Sequence, residues 1–204
     1  MDGTGKTAHA LKTINYLQKA GYKCKYVWFG SPYLLSYPFM VICRLLGYTK
    51  THRLGNGLVI SEHLYYKNKV ISRVWSWVRF LDIFISVNVR VKLPLLFGFT
   101  VVCDRFVPDS LVELMTDIGD TKLLGTTVGK LISELIPKSS KSVLLDVEEK
   151  TAWQRKTDIP ALDYLTRRRS SYRTVGEDLR IPTVNAEAPF EVVQRDLMAK
   201  LTGP

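Results

Sequence analysis

Apolar positions along the chain fall into short continuous runs separated by stretches with helical spacing. Ala10, Leu11, Ile14 and Leu17 recur at the intervals of a helix, which Gly21 would stop. Residues 24–29 read as a β-branched and aromatic strand. A long apolar segment follows at 31–46, then a loop carrying Gly47, Gly55 and Gly57. A helix is predicted over about 62–93, ending near Pro94 and Gly98. Val70, Val74, Trp77, Val78, Leu81 and Ile85 share one face of it, and that stripe is expected to pack in the core.

The second half repeats the alternation. Residues 99–103, bounded by Gly98 and Asp104, carry the signature of a buried strand. Ser110 is expected to cap a helix beginning near Leu111. Val128, Leu131, Ile132 and Leu135 mark another helix, stopped by Pro137. Strands are predicted at 142–146 and 181–185. A helix with Pro160 at an early position is predicted to reach about Leu179, and a last one to span 190–201 with Val193, Leu197 and Leu201 inward. Strands separated by helices predict an α/β fold, a parallel sheet with helices on both faces. No repeat or low-complexity linker interrupts residues 1–204, so one domain is expected. Ligands in such folds bind at the carboxyl ends of the strands. Asp104-Arg105, Asp146 and Asn185 fall there.

The chemistry begins at the first residues. Met1-Asp2-Gly3-Thr4-Gly5-Lys6-Thr7 supplies all but the first place of the phosphate-binding pattern G-x-x-x-x-G-K-[ST]. Curled backbone N–H groups and the positive end of the next helix hold phosphate oxygens. Gly3 and Gly5 allow close approach and positive φ, Lys6 reaches the β- and γ-phosphates, and Thr7 offers a hydroxyl to Mg²⁺. The first glycine of the pattern would stand one position before Met1, and the strand that leads into such loops is not in the sequence. The expectation is that Met1 is an internal methionine of a longer loop. Weak ATP binding by this 204-residue form is expected with it.

Composition narrows the class. The chain is 46% hydrophobic and 24% charged, in the globular range. Cys24, Cys43 and Cys103 are scattered in apolar surroundings without metal-ligand spacing, so reduced thiols in a cytoplasmic protein are expected. A net charge of +10 suits phosphate-bearing ligands in general. Aromatic and basic residues mingle at 63–80, but the helical stripe makes core packing the better account there, and no nucleic-acid partner is expected. No stretch reads as a transmembrane span: 27–43 is uncharged but broken by Gly30, Pro32 and Pro38, and 70–103 carries five charges among Arg73, Arg79, Asp82, Arg90 and Lys92.

Two further constellations stand out. An acid at Asp104 can hold Mg²⁺ or its water, and Arg105 beside it can fork onto a phosphate. Arg155 and Lys156, between two helical stretches, suit a lid around 147–160. Arg167, Arg168 and Arg169 follow on the next helix, one or two of them on a solvated face.

Taken in order, several elements resemble the thymidylate kinase family of P-loop kinases. They are Asp2–Thr7, Val101-Val102-Cys103-Asp104-Arg105-Phe106 with Ser110, Leu144-Leu145-Asp146-Val147, Tyr164-Leu165 with the arginine triplet and Tyr172, and Asn185-Ala186. The resemblance implies a three-layer P-loop kinase fold whose first, central strand is missing from this chain. It implies transfer of the γ-phosphate of ATP, with Mg²⁺, to a nucleoside monophosphate, dTMP foremost, by a protein that can be a homodimer. Under it, Thr4 and its loop neighbours hold ATP, and Lys6 and Thr7 serve the phosphates and metal. Asp2 meets the acceptor sugar, Asp104 organises metal and acceptor, and Arg105 binds the acceptor phosphate. Gly3 stands where some members carry an arginine, which passes the catalytic cation to Arg155, with Lys156 second. Ala186 and its neighbours lie by the adenine. The turn after the family's second strand, here Phe29-Gly30-Ser31-Pro32-Tyr33, departs from the family's Arg-Glu-Pro-like form and keeps only the proline. A P-loop kinase with another acceptor, and a nucleotide-binding protein without turnover, are the alternatives.

Overall fold

The computed structural model describes residues 3–30, 34–53, 59–155 and 162–203. It is a mixed α/β structure with more helix than strand. Helix α1 (Lys6–Lys19) starts directly after Gly5, whose φ of 77° turns the chain into the first helical turn. Strand β1 (Cys24–Trp28) pairs in parallel with β4 (Thr100–Asp104), Cys24 opposite Thr100 and Trp28 opposite Asp104. Strand β5 (Leu144–Asp146) pairs in parallel with β6 (Thr183–Asn185). Each strand starts or ends a residue or more from its expected bounds. The sheet is also divided: among the described residues, β4 and β5 are not hydrogen-bonded to one another.

The sequence reading misses a hairpin. Strands β2 (Thr49–Arg53) and β3 (Val59–His63) pair antiparallel where a loop and the start of a helix are expected. Thr49-Lys50-Thr51-His52-Arg53 has no apolar alternation to announce a strand. The pair is stabilised cross-strand instead, with Thr49 Oγ1 and His63 Nδ1 3.4 Å apart.

Helix α3 (Lys69–Val87) therefore begins later than 62, where Asn68 Oδ1 accepts from the backbone N–H of Val70 and Ile71. It continues through a π-helical turn, Asn88–Lys92, into α4 (Leu93–Leu96), with Pro94 in the first turn of α4. The face of α3 that enters the core is not the expected one. Trp75, Arg79, Asp82, Ile83 and Val87 are buried, whereas Val70, Val74, Trp77 and Leu81 are exposed. The polar members of the inner face have work there. Arg79 meets Glu113, and Asp82 accepts from the N–H of Leu35 and Ser36 and from the Ser36 hydroxyl at the start of α2 (Ser36–Leu45).

Helix α5 (Val107–Ile118) starts ahead of its expected position. Phe106 N–H donates to Asp109 Oδ2 at 3.0 Å, Pro108 sits in the first turn, and Ser110 is buried inside the helix rather than capping it. Helix α6 (Thr127–Glu134) is capped by the Thr126 hydroxyl, which accepts from Gly129 N–H. Helices α7 (Glu149–Arg155), α8 (Leu162–Asp178) and α9 (Phe190–Thr202) complete the chain.

Helix α1 packs on α9 through a polar seam. The His9 ring stacks on Phe190 at 4.2 Å and shares a 2.8 Å hydrogen bond with Gln194, whose amide donates to Thr13. Elsewhere α3, α5, α6 and α8 pack around Trp75, Ile83, Leu111, Leu114, Ile132 and Leu165, all fully buried. No helix among the described residues is long and apolar enough to cross a membrane.

Candidate phosphate and metal site

The loop 3–7 meets the carboxyl end of β4 through Thr7 and helix α7 through Gly3. Gly3 has φ 77°, and a Cβ there would lie 3.0 Å from the Ala152 carbonyl oxygen of α7. Any side chain, an arginine included, would meet both the left-handed backbone and the α7 main chain, so glycine suits this place. Thr4 is buried beneath the loop. Gly5 leaves the start of α1 without a side-chain cap.

Thr7 and Asp104 meet directly. Thr7 Oγ1 donates to Asp104 Oδ2 at 2.5 Å, and Tyr26 OH donates to the same oxygen at 2.9 Å. Burial, reinforced by the Asp104 carboxylate, pushes the Tyr26 phenol up to about 12, so it stays a donor. Asp104 is buried, and its second oxygen, Oδ1, has no hydrogen-bond partner among the described residues. A buried carboxylate oxygen left in this way fits a divalent cation or its water. No three His, Cys, Asp or Glu side chains among the described residues cluster to hold a metal by themselves. Thr7 and Asp104 offer two oxygens, the kind of incomplete set that Mg²⁺ shares with substrate phosphates.

Arg105, next in sequence, has φ 65°, a left-handed conformation that non-glycine residues seldom take. Its guanidinium lies 3.9 Å from Asp109. Asp109 also accepts from Tyr172 OH at 2.8 Å, and burial followed by the Asp109 charge holds that phenol well above its ordinary value. Tyr172 stacks under Arg168, which is buried. Sequence reasoning singled out Arg105 and Tyr172 separately, and Asp109 is the link it did not find. An acid one turn into a helix beside a basic site is the signal that was available.

Asp146, at the end of β5, meets one member of the arginine triplet, Arg169, together with Arg173. Arg169 donates to both Asp146 oxygens at 2.9 Å and to Glu149 at 2.8 Å, and Arg173 adds a bond of 3.0 Å. Burial raises the Asp146 pKa, but the hydrogen bonds from Arg169 and Arg173 outweigh it and hold the carboxyl below its ordinary value. Of the triplet, Arg167 is the solvated member.

Lys6 stands at the first turn of α1 and lines a cleft of about 590 Å³ with Asp104 and Arg105. Arg155 donates from Nη1 to the Ala186 carbonyl at 2.9 Å, which joins two of the residues expected near ATP. The part of the expected lid that is described is the packed helix α7, with Ala152 fully buried. Asp2, Lys156, Pro160 and the turn 31–33 lie outside the described residues.

Asp117 was not foreseen. It accepts from Trp75 Nε1 at 3.1 Å beside Arg79, and burial pushes its carboxyl up to about 7 against the opposing pull of Arg79. No family model matches the chain, and no curated protein matches it.

Proposed function

We propose that the protein transfers the γ-phosphate of ATP to a nucleoside monophosphate, with dTMP as the first acceptor to test, on a P-loop kinase fold of three layers. The meeting of Thr7 with Asp104, with Asp104 Oδ1 buried and open, carries this reading. Mg²⁺ bound there would neutralise the charge of the phosphates. The backbone of residues 3–7 and the start of α1 cradle the ATP phosphates, and Lys6 adds a positive charge to them. Arg105 is held at the mouth of β4 by its left-handed backbone and Asp109, oriented to fork onto the acceptor phosphate. Tyr26 keeps Asp104 oriented while remaining protonated. Arg155, tied to Ala186, fits a positioning role for the adenine-side segment better than a direct cationic one in this arrangement.

A homodimer belongs to the same proposal. Val70, Val74, Trp77, Leu81 and Phe84 are exposed on α3 at alternating spacings of four and three, the seam pattern by which one helix packs on another. A second copy presents the same seam to the first.

Phosphoryl transfer from ATP to a panel of monophosphates, with Mg²⁺ and the full chain, tests the reading. ADP formation that depends on one monophosphate, and that Lys6→Ala abolishes, is the expected result. Release of ADP that no monophosphate stimulates would overturn it, and ATP binding without turnover would favour a nucleotide-bound regulator.

A further inference from the structure

Helix α2 is apolar on its outer side as well as its inner one. The inner side, Ser36, Phe39, Met40 and Cys43 at spacings of three and four, packs on the core, where the Phe39 ring stacks on Trp75 at 5.7 Å. The outer side is the row Leu34, Tyr37, Val41 and Leu45, with Ile42 beside it. All five are exposed, Tyr37 to 63% and Leu45 to 82%. Single apolar residues at a surface need no account, but a contiguous row of them does.

The fold holds this row outward. Asp82 accepts from the N–H of Leu35 at 2.6 Å and of Ser36 at 3.0 Å, which fixes the first turn. At the other end, Tyr48 N–H donates to the Cys43 carbonyl and Leu64 N–H donates to the Tyr48 carbonyl, so the end of α2 is tied to the residue after β3. With both ends anchored and the inner side packed, α2 cannot roll its outer row into the core. The row is also distinct from the exposed seam of α3, because α2 meets α3 through Trp75 and Asp82, which belong to the buried face of that helix.

The charges around the row have one sign. Between Asp2 and Glu62 the sequence contains no acid, whereas Lys12, Lys19, Lys23, Lys25, Arg44 and Lys50 all stand there. From Glu62 to Asp104 the one acid is Asp82, which is buried against the start of α2. Arg44 is exposed on the flank of α2, and Lys50 is exposed in β2 just beyond its end. An apolar row flanked by cations matches a surface that is apolar beneath and anionic above. A second copy would bring more cations to the same rim with no acid in this stretch to pair them. A nucleic acid would set Val41 and Leu45 against a charged backbone.

We propose that α2 is a docking helix for an anionic lipid surface. Val41, Ile42 and Leu45 enter the boundary of the acyl chains, Tyr37 stays at headgroup level, and Arg44 and Lys50 meet the lipid phosphates. The contact lies on the bilayer and does not cross it, since ten helical residues reach about 15 Å, half of a hydrocarbon core of about 30 Å.

Flotation of the full chain with vesicles tests this, comparing phosphatidylcholine alone with phosphatidylcholine containing about 30% phosphatidylglycerol. Recovery with the anionic vesicles is expected to exceed that with the neutral ones at least about tenfold, and to fall as salt rises to about 0.5 M. Val41→Ser combined with Leu45→Ser, and separately Arg44→Glu, are each expected to lower that recovery about tenfold, with Tm within about 2 °C of the parent. Lys130→Glu, an exposed charge reversal on α6, is expected to retain it. Equal recovery with the two kinds of vesicle, or recovery that the α2 variants leave unchanged, would overturn the proposal. An equal loss in Lys130→Glu would overturn it too, because binding would then follow net charge alone. So would self-association without vesicles, seen by sedimentation velocity and abolished by the Val41 and Leu45 changes, which would assign the row to a second copy.

Discussion

Thr7 donates its hydroxyl to Asp104 across 2.5 Å, although 97 residues separate them in the chain. The contact ties the first turn of α1 to the end of β4 and leaves one Asp104 oxygen free of protein partners among the described residues. Thr7→Val and Asp104→Asn are each expected to weaken Mg²⁺-dependent ATP binding by about 10- to 100-fold. Titration calorimetry with and without Mg²⁺ checks this. Equal losses with the metal chelated would assign the pair to loop packing rather than to the cation.

The Arg169–Asp146 pair is expected to contribute to stability in a pH-dependent way. The Asp146 carboxyl is lowered in the folded state, so its contribution is complete above the ordinary carboxylate pKa and is lost as pH falls through its lower folded value. Arg169→Ala leaves that carboxylate and Glu149 without their shared partner. A loss on the order of 2 kcal/mol at neutral pH is expected, with a smaller one near pH 3. Urea unfolding at the two pH values measures the difference.

Asp117 acts with the opposite sign. Its folded pKa of about 7 lies above the ordinary 3.8, so the folded protein holds a proton that the unfolded chain has released. The stability this supplies is full below about pH 4 and drains away as pH rises to 7, at up to roughly 1.4 kcal/mol per pH unit. Asp117→Asn keeps the acceptor for Trp75 and is expected to flatten that part of the stability profile. A profile of unchanged slope would remove Asp117 as its source.

Trp77→Asp, on the exposed seam of α3, is expected to leave Tm within about 2 °C of the parent and to convert a dimer to a monomer. Sedimentation velocity at several concentrations decides. A parent chain that is monomeric throughout would refute the self-association.

Much of the site was readable from residue order. Apolar runs that end abruptly in Asp104 and Asp146 marked the carboxyl ends of buried strands, and both carboxylates lie there. What could not be read depends on partners distant in sequence. The inner face of α3 holds Arg79 and Asp82, which a periodicity argument assigns to solvent, while Trp77 and Leu81 on the outer face look like core. Strand β2, Thr49–Arg53, is polar throughout and is held by pairing with β3, so it leaves no apolar rhythm of its own. The Arg105–Asp109–Tyr172 cluster required α8 to come back onto α5 before its members could be seen as neighbours.

The Asp82 carboxylate also makes one helix dependent on another. Helix α2 has ten residues, too few to persist alone in water, and the groups that receive its first N–H donors belong to α3. Its start signal lies more than forty residues downstream, so the beginning of α2 is completed by a side chain of α3 and is unsatisfied wherever the two helices are apart.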